Sequence, residues 1–240
     1  MSMSRDDSIQ LELRDVTKRF GSGPSATLAV NRADLRVRRG ETLLLMGPSG
    51  SGKTTLLSMM GGILTPDSGR IMIAGQDITS LGRGRLAEVR LRHIGFIFQE
   101  YHLFHTLSVV QNLLVVLDLK GIRGRKAREI AEERLDWVGL SDKLSSYPAK
   151  LSGGQKQRLA VSRALCGEPE IILADEPTAA LDSENGQRIL DMLHRLTFEL
   201  GRTLVVVTHD PRIRRYADRV VTIEDGKLSR EQPLDAEGEP

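Results

Sequence analysis

Gly47-Pro48-Ser49-Gly50-Ser51-Gly52-Lys53-Thr54 is the stretch on which the fold of this chain turns. It fits the pattern G-x-x-x-x-G-K-[ST], and its flanks are those that the pattern's chemistry requires. Before it, Glu41-Thr42-Leu43-Leu44-Leu45-Met46 is a short apolar block between Gly40 and Gly47, which reads as a buried strand. After it, Lys53 to Met60 reads as a helix stopped by Gly61-Gly62. In such a strand–loop–helix unit the glycines let successive backbone N–H groups turn inward around phosphate oxygens. The helix N-terminus adds partial positive charge, a solvated lysine at position 53 reaches β- and γ-phosphates, and the Thr54 hydroxyl faces Mg²⁺.

Working outward, Ile171-Ile172-Leu173-Ala174-Asp175-Glu176 is an apolar strand that delivers two adjacent carboxylates to its C-terminal end, where parallel sheets present their ligands. Side chains diverge along a strand, so the two acids suit different tasks: Asp175 Mg²⁺ coordination through water, Glu176 orienting and deprotonating an attacking water. A stripe of Ile189, Leu190, Leu193, Leu196 and Leu200 predicts a helix leading to a strand at Thr203-Leu204-Val205-Val206-Val207, hence a β-α-β unit with a parallel sheet. Ile94-Gly95-Phe96-Ile97-Phe98 is another buried strand, ending at Gln99, and Val220 to Ile223 with Asp225-Gly226 predicts a final hairpin. Ile9 to Leu13 and Arg70 to Ile73 alternate polar and apolar residues, which predicts a small antiparallel layer flanking the main sheet.

Residues from about 101 to 167 carry three helical patterns and no strand, as an inserted helical subdomain would. Ser108 caps a helix through Leu119 that is apolar on nearly every side. Ala127, Ile130, Ala131, Leu135 and Val138 form a second stripe before Gly139, and a third helix runs from near Ser152 to Gly167-Glu168-Pro169. At its start, Leu151-Ser152-Gly153-Gly154-Gln155 fits a capping box through Ser152 and Gln155. A cap alone does not ask for two glycines in the first turn, where each costs about 1 kcal/mol relative to Ala. Bare backbone at a helix N-terminus is a second phosphate-binding surface, most useful to the nucleotide of another copy.

Composition bounds the rest. With 240 residues the chain buries roughly 70–75% of its unfolded surface on folding, enough to need no disulfide or metal staple. Lys+Arg 34 against Asp+Glu 32 gives a net charge of +2, too small a field to imply a polyanion partner. Nine aromatics (one Trp, three Tyr, five Phe) are too few for stacking platforms on single-stranded nucleic acid. The single cysteine, Cys166, fits a reducing compartment. The N-terminal Met1 to Asp7 lacks the apolar core of a signal peptide, and the longest apolar run, Leu113 to Leu117, falls far short of a membrane span. The expectation is a soluble cytosolic domain over residues 1–230, followed by a disordered acidic tail at 231–240.

From about Ile9 to Leu228, the order of these motifs resembles the nucleotide-binding subunit of ATP-binding-cassette (ABC) transporters. The resemblance implies a P-loop NTPase core and an ATPase using ATP and Mg²⁺. It also implies dimerisation around two nucleotides, each held between the phosphate loop of one copy and the signature Leu151 to Gln155 of the other. Nucleotide binding would extend to Thr55 and to Phe20, where the family places an aromatic that stacks on adenine. Gln99 matches the residue linking Mg²⁺ to the membrane partner, so that Thr54, Gln99 and Asp175 form the metal set. Asp182 matches an aspartate that crosses the dimer interface, and His209 a switch histidine at the γ-phosphate. Lys53, Glu176 and His209 are then the catalytic set.

Two departures stand out: Ala179 lies where the family usually has a serine, which removes one interface hydrogen bond, and Phe20 replaces the commoner tyrosine. Leu91 to Gln99 and Leu103 to Leu107 are similar to the branch serving lipoprotein release and macrolide efflux. The implied partners are a second copy and transmembrane permease subunits on the cytoplasmic face of the membrane, with no nucleic acid. Two other outputs suit the same cassette: regulation of a membrane cell-wall complex without transport, and a nucleic-acid-associated ATPase. The latter usually carries coiled-coil arms, a zinc insertion or a second cassette, none of which this sequence has.

Overall fold

The computed structural model describes residues 8–23, 26–229 and 232–233, without the side chains of residues 196–198 and 232–233. Its frame is a sheet whose five central strands are parallel: β3 (Thr42–Met46), β6 (Ile94–Ile97), β7 (Ile171–Asp175), β8 (Thr203–Val207) and β9 (Arg219–Glu224), in the spatial order β9-β3-β8-β7-β6. β3, β7 and β8 are buried at nearly every residue, covered on both faces, which is why they read as apolar runs. Alternate residues go to opposite sides. Leu43, Leu45, Leu173, Val205 and Val207 join one core, while Leu44, Ile172, Ala174, Leu204 and Val206 join the other.

The first core is closed by α1 (Lys53–Met60) and by an antiparallel sheet of β1 (Ile9–Phe20), β2 (Thr27–Arg38), β4 (Ser68–Ile73) and β5 (Gln76–Asp77), ordered β2-β1-β4-β5. The alternation at Ile9–Leu13 and Arg70–Ile73 marks this layer, as expected. Its second long strand, β2, carries the same alternation less visibly among its arginines. The other core is closed by α5 (Gly153–Leu165) and α6 (Ser183–Leu200), where Ile189, Leu190 and Leu193 are buried. The side chain of Leu196 lies outside the described residues, and Leu200 is exposed, so the predicted stripe ends a turn early.

Three helices, α3 (Val109–Leu119), α4 (Gly124–Trp137) and α5, share a third core of Val109, Leu113, Leu117, Ala127, Ala131, Leu135, Leu159 and Ala160. Ser108 and Gln111 form a reciprocal capping box at the start of α3. The all-round apolarity of α3 partly serves this core: Val109, Val110, Leu113 and Leu117 are buried, Leu114, Val115 and Val116 are half-buried, and Leu119 and, ahead of the helix, Phe104 are exposed. A polar helix, α2 (Arg83–His93), was not anticipated, because it buries only Val89 and so has almost no apolar stripe.

β9 is followed by a short hairpin partner, β10 (Lys227–Leu228), and by β11 (Gln232–Pro233), which pairs with Val220 and Arg219. The tail expected to be disordered from residue 231 therefore contributes a two-residue strand; residues 231 and 234–240 lie outside the described residues. Among the described residues no helix is long and apolar enough to cross a membrane.

Candidate nucleotide-binding and catalytic site

β3 lies between β9 and β8 in the parallel sheet, and the glycine loop leaves its C-terminal end to start α1. Gly52 is the N-cap residue, with φ +103 and no side-chain cap, and the first turn holds no acid. A Cβ there would stand 2.0 Å from the carbonyl oxygen of Ala29, so the antiparallel layer leaves room for glycine only. The first-turn N–H groups of α1 are thus left without a side-chain cap, as an anion site requires. The turn after β9 braces the loop, with Gly226 N–H donating to Ser51 O at 3.1 Å. Pro48, Ser49 and Gly50 form its exposed rim.

Lys53 is not the solvated side chain expected. It is buried, and its Nζ donates to Gly47 O at 2.9 Å and Pro48 O at 2.7 Å, closing the loop from inside. Beside it, Thr54 Oγ1 donates to Asp175 Oδ1 at 3.1 Å. Asp175 ends β7, 7% exposed, and burial pushes its carboxyl above the usual range; the neighbouring Glu176 pushes the same way, against the Thr54 hydrogen bond and the Lys53 charge.

Glu176 diverges from Asp175 for a reason beyond strand alternation. It has left the strand in the left-handed region, φ +45, a conformation that costs a non-glycine residue about 1–2 kcal/mol. Its N–H donates to Val207 O at 2.8 Å, which fixes the turn across the end of β8. Glu176 Oε1 then lies 3.0 Å from His209 Nδ1, while Oε2 is buried with no partner among the described residues. His209 is otherwise exposed. Lys53, Thr54, Asp175, Glu176 and His209, from three separate stretches, thus meet at the C-terminal ends of β3, β7 and β8.

Other anticipated residues lie at the edges. Gln99 is exposed in the turn after β6, two residues past Ile97, which pairs with Ala174. Phe20 ends β1, 45% exposed, with Lys18 Nζ 5.8 Å from its ring centroid. Thr55 is half-buried in the first turn of α1.

Ser152 and Gln155 form the expected capping box at α5, with Gln155 N–H to Ser152 Oγ at 3.3 Å and Ser152 N–H to Gln155 Oε1 at 2.9 Å; Leu151 just before is buried. The two glycines differ. A Cβ on Gly154 would stand 2.7 Å from Asn185 Oδ1 and 2.8 Å from Asn185 Cγ, so packing alone explains it; Gly153 is exposed with ordinary room. Asn185 is itself pinned by Asp182, which accepts from its backbone N–H at 2.9 Å and its Nδ2 at 2.7 Å; these bonds lower the Asp182 pKa. Ser152–Gln155 and Asp182 therefore form a second cluster, and no hydrogen bond among the described residues joins it to the phosphate loop.

Sequence reasoning missed the network that holds the loop after His209. Asp210 accepts from Arg212 Nε and Nη2 and from Thr178 Oγ1, and Arg212 Nη1 donates to Ser183 O and Oγ. The Arg212 hydrogen bonds hold the Asp210 carboxyl below its usual range. The only sequence signal was an Asp-x-Arg spacing next to a histidine.

The profile of the family described as "ABC transporter" matches residues 30–179. The chain belongs to the ABC transporter family. Over 220 residues it is 44% identical to the macrolide export ATP-binding/permease protein MacB of Vibrio parahaemolyticus, covering 92% of this chain and 34% of that protein. It thus spans about a third of the length of the MacB relatives it matches. The putative hemin import ATP-binding protein HrtA of Staphylococcus haemolyticus is 42% identical over 218 residues, 91% of this chain and 98% of that one. Among solved structures, the ATP-binding cassette MJ0796, in a dimeric post-hydrolysis state bound to ADP and Pi, superposes with a TM-score of 0.89 at 38% identity, covering 94% of this chain and 99% of that chain. The α/β fold with its parallel and antiparallel sheets is that of an ABC cassette, and the cassette is an ATPase.

Proposed function

We propose that two copies of this ABC ATPase close around two MgATP and thereby drive separate membrane subunits in the export or release of an envelope substrate. The observation that carries the catalytic part is the chain of contacts Thr54–Asp175 and Glu176–His209, which ends in a buried carboxylate oxygen with no partner among the described residues.

The Thr54 hydroxyl and the Asp175 carboxylate are a hard oxygen pair suited to Mg²⁺, which keeps several waters and takes one or two carboxylates. Thr54, Asp175 and Gln99 are its holders in this reading; when bound, the cation neutralises charge on the β- and γ-phosphates. Lys53, released from the carbonyls of Gly47 and Pro48, meets the same phosphates, and the α1 amides line them. Phe20 offers its exposed ring to adenine. Glu176 accepts the proton of the attacking water, with Oε2 the free acceptor, and His209 holds Oε1 and contacts the γ-phosphate.

A second copy is supported by the α5 N-terminus. Ser152, Gly153 and Asp182 are exposed, and no hydrogen bond among the described residues connects them to the chain's own phosphate loop. The membrane partner is supported by exposed Phe104, Leu119 and Tyr147 in the helical region. Export follows the name of MacB; the name of HrtA gives import for that protein. With membrane subunits as partners, the chain works on the cytoplasmic face. The test is Ser152→Arg, expected to leave nucleotide binding by the monomer near normal while turnover stops. Equal loss of monomer binding would place Ser152 in a same-chain site.

A further inference from the structure

The turn that leaves β6 holds two consecutive non-glycine residues in the left-handed region, Tyr101 at φ +62 and His102 at φ +47. Each pushes its Cβ toward the following carbonyl, so the turn persists only if its surroundings hold it. Tyr101 N–H donates to Phe98 O at 3.1 Å and His102 N–H to Glu100 O at 2.7 Å. The His102 ring lies on Phe98, centroids 4.4 Å apart, and Phe98 stacks on Phe96 at 4.2 Å. The two carbonyls are taken by one group. Arg163, in the last turn of α5, donates from Nη2 to Tyr101 O at 2.9 Å and from Nη1 to His102 O.

No carboxylate among the described residues pairs with Arg163, and burial pushes its pKa down. Its charge is spent on two peptide carbonyls, each met by a separate Nη of one planar guanidinium, a two-point spacing that the single nitrogen of a lysine does not reproduce. At the other end of α5, the Tyr101 hydroxyl lies 3.5 Å from where a Cβ on Gly153 would stand. The turn is therefore fastened to the C-terminal end of the helix that begins at Ser152, its Tyr101 hydroxyl lies near the other end, and Gln99 sits two residues before Tyr101.

We propose that Arg163 is a positioning residue for Gln99: by holding the carbonyls of Tyr101 and His102 it fixes the turn that aims Gln99 at the phosphate loop, and joins that turn to the signature helix as one body. This rests on the reading of Gln99 as a Mg²⁺-facing residue. Arg163 acts only through the turn and touches no substrate.

The test uses Arg163→Lys, Gln99→Ala and the double variant of the full chain, each first checked for an unchanged fold by melting temperature, with Arg163→Gln as a second variant if Lys fails to fold. Hydrogen exchange without nucleotide is expected to speed up about 10-fold for the amides of residues 101–104 in Arg163→Lys and stay unchanged at the centre of α5. The Mg²⁺ concentration for half-maximal ATP turnover is expected to rise roughly 10-fold in Arg163→Lys, as for outer-shell residues generally, and in Gln99→Ala, with the double variant no worse than Gln99→Ala alone. Unchanged exchange in the turn, or additive effects in the double variant, overturns the role of Arg163 while leaving Gln99 standing. A Gln99→Ala protein with normal Mg²⁺ dependence overturns both.

Discussion

Glu176 Oε1 and His209 Nδ1 lie 3.0 Å apart across the ends of β7 and β8, and the other oxygen of the same carboxylate is enclosed with no partner among the described residues. Leaving one buried acceptor unmade costs on the order of 1–3 kcal/mol, and the left-handed backbone at Glu176 adds to that. A fold selected for stability alone would remove both costs with a glycine. Their coincidence on one residue, at the strand end where Asp175 meets Thr54, is the signature of a group kept ready for a ligand.

Lys53 gives the first prediction. Because its Nζ closes the loop on Gly47 and Pro48 carbonyls, Lys53→Ala removes a phosphate partner and also a brace. Nucleotide affinity should fall on the order of 100-fold, with a stability loss of only about 1–2 kcal/mol. Fluorescent-nucleotide titration and urea unfolding separate the two; full affinity in the folded variant would remove the loop from the nucleotide site.

The two signature glycines should part company. Gly154→Ala drives a Cβ into Asn185, which Asp182 holds in place, so it should cost about 1–3 kcal/mol in denaturant unfolding and recover in part with Asn185→Ala. Gly153→Ala has room and should leave stability unchanged while slowing turnover. A normal rate for Gly153→Ala would mean that its exposed backbone meets no phosphate.

The sequence displayed this fold unevenly, for physical reasons. Strands β3, β7 and β8 were legible because burial on both faces forces apolar runs, and β9 because its apolar pair Val220-Val221 leads into the turn Asp225-Gly226. Helix α2 was not, since it buries one residue. The paired carboxylates, the phosphate loop and the capping box at Ser152 were legible as local strings. The left-handed turn at Glu176, held across to Val207, and the grip of Arg163 on Tyr101 and His102 depend on residues far apart in the chain, and no local pattern encodes them.

Asp175 gives a prediction about pH. Burial raises its pKa, so the folded protein holds a proton there that the unfolded chain has already released. Stability is unaffected below the unfolded pKa and declines as pH rises toward and through the raised folded value, beyond which the full cost of a buried charge is present. Asp175→Asn should therefore raise the melting temperature of the nucleotide-free protein at neutral pH, keep the Thr54 hydrogen bond through its amide oxygen, and weaken the Mg²⁺ dependence of turnover. A lower melting temperature at pH 7 with no gain on acidification would show that the carboxylate stabilises the empty site.

Glu176→Gln is the most discriminating change. Glutamine keeps the size of the side chain and an oxygen for His209, so the turn at Val207 and the contact across β8 should survive, and MgATP binding with them. What is lost is the ability to take a proton from water, which general-base catalysis values at about 10²–10⁴-fold in rate, or roughly 3–5 kcal/mol of barrier. If two triphosphates bridge two copies, blocking hydrolysis also removes the exit from the closed state, and mass action favours the dimer as MgATP rises. The expected result is slow phosphate release together with a shift to a dimer in size-exclusion chromatography with MgATP, absent with ADP. Wild-type turnover in Glu176→Gln would transfer the base to another group, with His209 next in line at 3.0 Å. Loss of turnover in a protein that stays monomeric at saturating MgATP would leave Glu176 as the base and overturn the two-copy sandwich for the isolated chain.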